Sequence, residues 1–166
     1  NAVVAANEAQ AEVFWKIRDS IAEAERAEGP ALQHDISVPV ASMARFIEQE
    51  SPDIAARYPG TSVVAFGHLG DGNIHYHVKA PAGVAPDNWY AEYSARISAD
   101  VYDRVTQYGG SISAEHGIGQ AKLAEFVRLS DPARLTALRG IKAALDPLGI
   151  MNPGKLVPPA SKPASA

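Results

Sequence analysis

The sequence predicts an α+β domain, a predominantly antiparallel sheet covered by helices. Three observations predict it. Two β-branched or alternating stretches, Thr61 to Phe66 and Asn73 to Lys79, are separated by the turn chemistry of Leu69-Gly70-Asp71-Gly72, which reads as a hairpin. Apolar residues recur every four positions from Trp89 to Val105, the period of a buried helix face. A hydrophobic content of 46% over 166 residues is enough to build one core.

The elements follow in order along the chain. From about Ala5 to Glu28, Val13, Ile17, Ile21 and Ala24 stand at helical spacing before the Gly29-Pro30 stop, so an amphipathic helix is expected. Asp35 to Val40 alternates polar and apolar residues and predicts a half-buried strand ending at Pro39. A short helix through Met43, Phe46 and Ile47 comes next, then the hairpin. Asp87 caps a helix whose stripe is Trp89, Tyr93, Ile97, Val101 and Val105, and Gly109-Gly110 stops it. Asp131-Pro132 opens a last helix with Leu135, Leu138, Ile141 and Leu145 on one face, closed by Asp146-Pro147. Residues 1–157 are read as one unit and residues 158–166, rich in Pro, Ser and Ala, as a flexible tail.

Composition narrows the function classes. The net charge is −4 and the basic residues are dispersed, so there is no electrostatic footprint for nucleic acid. Without cysteine, any metal must be held by histidine and carboxylate. No apolar run approaches the roughly 18 residues of a membrane span, and no charged-then-apolar leader opens the chain. A cytoplasmic setting is the expectation, and the abrupt start at Asn1 reads as a cut in a longer chain.

The chemistry concentrates in two segments. In Gly67-His68-Leu69-Gly70-Asp71-Gly72-Asn73-Ile74-His75-Tyr76-His77, a turn at 69–72 sets His68 opposite Asn73. The two-residue period then puts Asn73, His75 and His77 on one face, with Ile74, Tyr76 and Val78 on the other. His68 and His75 become diagonal neighbours, about 7–8 Å apart at their α-carbons, close enough for two imidazoles to reach one ion. Solvated strand histidines are the alternative, disfavoured by three of the five histidines sharing one face. The second segment is Gly109-Gly110-Ser111-Ile112-Ser113-Ala114-Glu115-His116-Gly117-Ile118-Gly119. Its adjacent carboxylate and imidazole offer a third hard ligand and a proton acceptor, or simply face water from a glycine-rich connection.

These two segments, with Leu145-Asp146-Pro147-Leu148-Gly149-Ile150-Met151-Asn152-Pro153-Gly154-Lys155, are similar to the C-terminal domain of FAD-linked oxidases. That group includes D-lactate dehydrogenase, D-2-hydroxyglutarate dehydrogenase and the FAD subunit of glycolate oxidase. The resemblance runs to about Pro158 and extends to Phe14-Trp15-Lys16-Ile17-Arg18 and His34-Asp35-Ile36-Ser37-Val38-Pro39. It implies a flavin-dependent 2-hydroxy-acid dehydrogenase whose flavin domain precedes this segment, so that the isolated chain is expected to be inactive. By resemblance, His68, His75 and Glu115 hold a divalent ion, zinc or manganese, and His116 is the catalytic base. Arg18 grips the substrate carboxylate, Asn73 and His77 contribute to the substrate site, and Asn152 and Lys155 lie on the flavin side. Two positions depart from the pattern: Gln33 where some members carry a substrate-binding lysine, and His77 where the 2-hydroxyglutarate enzymes have asparagine. Both count against a dicarboxylate substrate.

The implied reaction explains these residue types. A 2-hydroxy acid must lose a weakly acidic hydroxyl proton while a hydride goes to the flavin. A Lewis-acidic ion lowers that hydroxyl pKa, an imidazole takes the proton, and a guanidinium fixes the carboxylate. The partners expected are a small 2-hydroxy acid, the flavin domain and a further electron acceptor. Open sheet edges also make self-association, most simply as a homodimer, an expectation. A non-haem metal enzyme using two His and one Glu, and a non-catalytic metal or hydroxy-acid binding module, are the competing readings.

Overall fold

The hairpin supplies the central strand and one edge of the sheet. The computed structural model describes residues 2–157; the tail expected at 158–166 lies outside the described residues. Strands β1 (Ala31–Ser37), β2 (Ser62–His68) and β3 (Asn73–Lys79) pair antiparallel in the order β1-β3-β2. His68 stands opposite Asn73, as the turn length requires. The turn closes with the Asp71 carboxylate accepting the Asn73 N–H at 3.0 Å. Gly72 is needed there: its φ is +77°, and a β-carbon would lie 2.0 Å from the Val38 carbonyl oxygen.

The first strand differs from its expected span, beginning at Ala31 and ending at Ser37 rather than running from Asp35 to Pro39. The reason is His34. Leu32, His34 and Ile36 share the face that pairs with Val78, Tyr76 and Ile74, so a polar residue interrupts the apolar alternation. His34 is buried and fully bonded: Nδ1 donates to the Tyr76 carbonyl at 3.1 Å, and Nε2 accepts from the Ser98 hydroxyl at 3.0 Å. The acceptor role of Nε2 needs the neutral ring, and burial lowers the His34 pKa from 6.5 to about 4.

A stability prediction follows from that shift. Between pH 6.5 and about 4 the unfolded chain binds a proton at His34 that the folded chain refuses. The stabilisation is therefore complete above 6.5 and is lost as pH falls through that window. From pH 7 to about pH 4 the loss at this one site is about 3 kcal/mol. Urea unfolding at both pH values, in wild type and His34→Gln, should show a wild-type decline steeper by that amount. Parallel declines would show that His34 is not held neutral.

Helices α1 (Glu8–Ala27), α2 (Met43–Arg57), α3 (Pro86–Gln107), α4 (Leu123–Leu129) and α5 (Pro132–Leu145) surround the sheet. The core lies under the Leu32/Ile36 face, where Phe46 and Ile54 of α2 and Ile97, Val101 and Val105 of α3 are fully buried against Ile74, Tyr76 and Val78. Helix α2 runs much further than expected, with Pro52 inside it. Pro52 is tolerated because it sits on the exposed side, where water can satisfy the carbonyl it leaves unpaired. Helix α3 starts two residues earlier than expected, with Pro86 at its first position and Ala85 rather than Asp87 as its cap. Helix α4, not anticipated from the sequence, buries Phe126. Asp131 caps α5 as expected, accepting the Ala133 N–H at 2.7 Å.

Two expected apolar faces are not covered by the described residues. In α1, Val13, Trp15 and Ile17 are 52%, 64% and 57% exposed. Only the end of that helix is buried, at Glu25. In α5, Leu135 is buried but Ile141 and Leu145 face outward. Among the described residues, no helix is long and apolar enough to cross a membrane.

Candidate active site on the polar face of the sheet

The sheet face opposite the core carries Gln33 and Asp35 from β1, Asn73, His75 and His77 from β3, and Phe66 and His68 from β2. The register places Asp35, His75 and Phe66 in one row, and Ser37, Asn73 and His68 in the next. The segment after α3 then crosses this face. Ser37 and Ser111 exchange backbone bonds of 2.9 and 2.8 Å, and the Ala114 N–H reaches the Asp35 carbonyl at 3.3 Å. This approach needs Gly110, where a β-carbon would lie 2.2 Å from the Ser37 carbonyl oxygen. The crossing brings Glu115 and His116 over the strands.

Around Glu115 a polar cluster forms. Its Oε1 accepts the Asn73 amide N–H and lies 3.7 Å from His68 Nδ1. From α1, Arg18 Nη2 donates to His68 Nε2 at 2.9 Å. A guanidinium only donates, so Nε2 is the acceptor and Nδ1 carries the proton that faces Glu115. The His68 and His75 ring centroids are 6.4 Å apart. As placed, no three His, Asp or Glu side chains of the described residues converge into a metal site.

His116 lies on the other side of His75. Its side chain is 69% exposed, with Nδ1 3.6 Å from Asp35 Oδ2. It borders a cavity of about 200 Å³ with Arg26, Gln33, Phe66, His75 and His77. A second cavity of about 190 Å³ lies beside Arg18, Phe66, His68 and His75. His75 and Phe66 thus stand between an Arg18/His68 side and a His116/His77 side.

His77 is less open than a histidine surface would make it. It is 7% exposed, and its Nδ1 is 3.1 Å from Oε2 of the buried Glu25. Burial lowers the His77 pKa, and Glu25 partly restores it. Glu25 is held in turn by Lys79, whose ammonium donates to the Glu25 carbonyl at 2.8 Å and to its carboxylate at 3.3 Å. Asn73 is also buried, with its amide committed to Glu115. Asn152 and Lys155 are not brought to the histidine face: they border an apolar groove of about 380 Å³ with Ile141, Leu145 and Met151.

Three residues of the site were missed by sequence reasoning. Asp35 Oδ2 accepts the N–H groups of Glu115 and His116, each at 2.9 Å. Burial would raise the Asp35 pKa, but these two donors, with His116 and Lys122 nearby, outweigh it and hold the carboxyl below its ordinary value. Lys122 donates to the carbonyls of Ile112 and Asp35, at 2.9 and 3.2 Å. The third is Glu25, seven residues after Arg18 and so two turns along the same helix face, a spacing readable in the sequence.

The family of FAD linked oxidases, C-terminal domain, matches residues 1–156. A D-2-hydroxyglutarate dehydrogenase of Stutzerimonas stutzeri is 36% identical over 154 residues, which are 93% of this chain and 33% of that protein. The mitochondrial D-2-hydroxyglutarate dehydrogenase of Arabidopsis thaliana is 35% identical over 94% of this chain and 26% of its own length. An uncharacterized FAD-linked oxidoreductase of Mycobacterium tuberculosis is 36% identical over 89% of this chain and 28% of its own length. The chain thus spans about a quarter to a third of these relatives. With a match that runs from the first residue through the Asn152 to Leu156 segment, and an antiparallel α+β fold to carry it, the chain belongs to the C-terminal domain family of FAD linked oxidases.

Proposed function

We propose that this segment forms the substrate side of a flavin-dependent dehydrogenase that converts a small 2-hydroxy acid to the 2-oxo acid. The observation that carries the reading is the placement of His116 beside a cavity that also touches His75, one row from the Arg18, His68 and Glu115 cluster. FAD is assigned to the larger part of such a protein, which this chain does not span, with Asn152 and Lys155 as the contacts offered from here. A cytoplasmic setting belongs to the same proposal.

His68, His75 and Glu115 are the residues proposed to hold a divalent ion. Their donor set, two imidazoles and a carboxylate on one sheet face, fits zinc or manganese by type. When bound, such an ion supplies Lewis acidity that lowers the pKa of the substrate hydroxyl by several units. Arg18 binds the substrate carboxylate with its planar pair of donors, exchanging its present contact with His68 for a charge-assisted one. His116, which borders the cavity with its side chain largely exposed, accepts the hydroxyl proton. A flavin held by the larger part of the protein would supply the acceptor for the hydride from the α-carbon. His77, held by Glu25, and Gln33 line the cavity that receives the remainder of the substrate.

The test is anaerobic mixing of the full-length flavoprotein with D-lactate, glycolate and D-2-hydroxyglutarate. One or more should bleach the oxidised flavin. Bleaching by dithionite but by no 2-hydroxy acid would end the reading. In the same protein Arg18→Ala should raise KM by about 10–100-fold, the equivalent of a lost charge-assisted bond of roughly 1.5–3 kcal/mol, with a smaller change in kcat. An unchanged KM would remove Arg18 from the substrate site.

A further inference from the structure

We propose that Asp35 is the positioning residue of the reactive loop, its buried carboxylate setting where Glu115 and His116 stand by holding the backbone N–H of each. The inference rests on the proposed dehydrogenase reading and assigns a residue that the reading does not need by itself.

No regular structure defines the loop. Residues 112–119 form neither helix nor strand, and Gly117 and Gly119 adopt φ of +72° and +55°. Its other ties include the Ser37–Ser111 bridge, the Ala114 N–H on the Asp35 carbonyl, Lys122 on the Ile112 carbonyl, the Ser113 hydroxyl on Asp35 Oδ2 at 3.5 Å, and the Asn73 amide on the Glu115 side chain. At Glu115 and His116 themselves, both N–H groups end on one oxygen, Asp35 Oδ2. That oxygen cannot wander. Asp35 is 4% exposed in the middle of β1, in register with His75, and Lys122 grips its backbone carbonyl. The rigid sheet row that carries His75 therefore also carries the acceptor that places the other two residues. Oδ1 is buried with no hydrogen-bond partner, so the contribution runs through a single oxygen.

That asymmetry makes the role testable by substitution. Asp35→Asn retains an acceptor at the Oδ2 position but no charge, whereas Asp35→Glu retains the charge and moves the acceptor by one methylene. Positioning predicts that Asn stays within about 10-fold of wild-type kcat while Glu and Ala lose about 100-fold, the penalty of a misplacement near 1 Å, with KM changed less. Hydrogen exchange read by mass spectrometry on the full-length flavoprotein gives a second measure that needs no turnover. Peptides covering 111–119 should exchange faster in Asp35→Ala and Asp35→Glu and at near wild-type rate in Asp35→Asn. If Ala does not fold, the Asn and Glu variants decide. Glu closer than Asn to wild type in kcat would mean that the charge, not the acceptor position, matters, and would overturn the proposal. Unchanged exchange of the loop in Ala and Glu would also overturn it. A wild type that no 2-hydroxy acid reduces would instead remove the dehydrogenase reading, leaving the exchange result to judge Asp35 alone.

Discussion

Replacing His116 with alanine in the full-length flavoprotein should lower kcat by about 10²–10⁴-fold, with little change in KM. The size is that of a lost general base, and the structure separates it from a folding defect. The ring is largely exposed and packs against little, so its removal opens no cavity in the core. The loop is held through the His116 backbone N–H, which alanine retains. Melting temperature and flavin content should therefore match the wild type while the rate of flavin reduction in stopped flow falls. Equal losses in kcat and thermal stability would contradict the assignment, as would a rate within a factor of about ten.

The second large effect concerns the ion. A full-length protein purified without chelators should hold close to one zinc or manganese per chain, and His75→Ala should lose it. The affinity loss should exceed the roughly 10–100-fold that follows removal of an outer hydrogen-bonding partner, because a direct ligand is gone. His75 is central in this respect: β3 is the middle strand, and the ring stands between the His68 side and the His116 side. Elemental analysis after dialysis, paired with flavin reduction rates before and after metal is restored, checks it. Full ion content in His75→Ala would mean that the ligands lie elsewhere.

Much of this architecture is legible in the sequence, but unevenly. The β2–β3 hairpin and the His68/Asn73 register follow from turn length and a period of two, because both are local. The start of β1 does not, since His34 sits on the core face and only the tertiary bonds to Tyr76 and Ser98 make a buried imidazole acceptable there. The pairing of β1 with β3 is not local either, so the row joining Asp35 to His75 goes unseen, and with it the anchor of the Glu115 loop. Helical periodicity places α1 and α5 correctly along the chain but says nothing about what covers them. Their stripes are apolar as expected, and Val13, Ile17, Ile141 and Leu145 are nonetheless exposed.

The way α1 is fastened gives it the mechanics of a lever. Its pivot is Glu25, clamped by Lys79 and set beside His77, and its working point is Arg18, seven residues away. At 1.5 Å per residue the arm is about 10 Å long, so a tilt of about 10° at the pivot carries Arg18 through nearly 2 Å. That distance separates a formed hydrogen bond from a broken one. The reach of the guanidinium therefore follows the tilt of an arm whose far end, at Val13, Trp15 and Ile17, is exposed, and under the proposed reading the alignment of a substrate carboxylate follows it too.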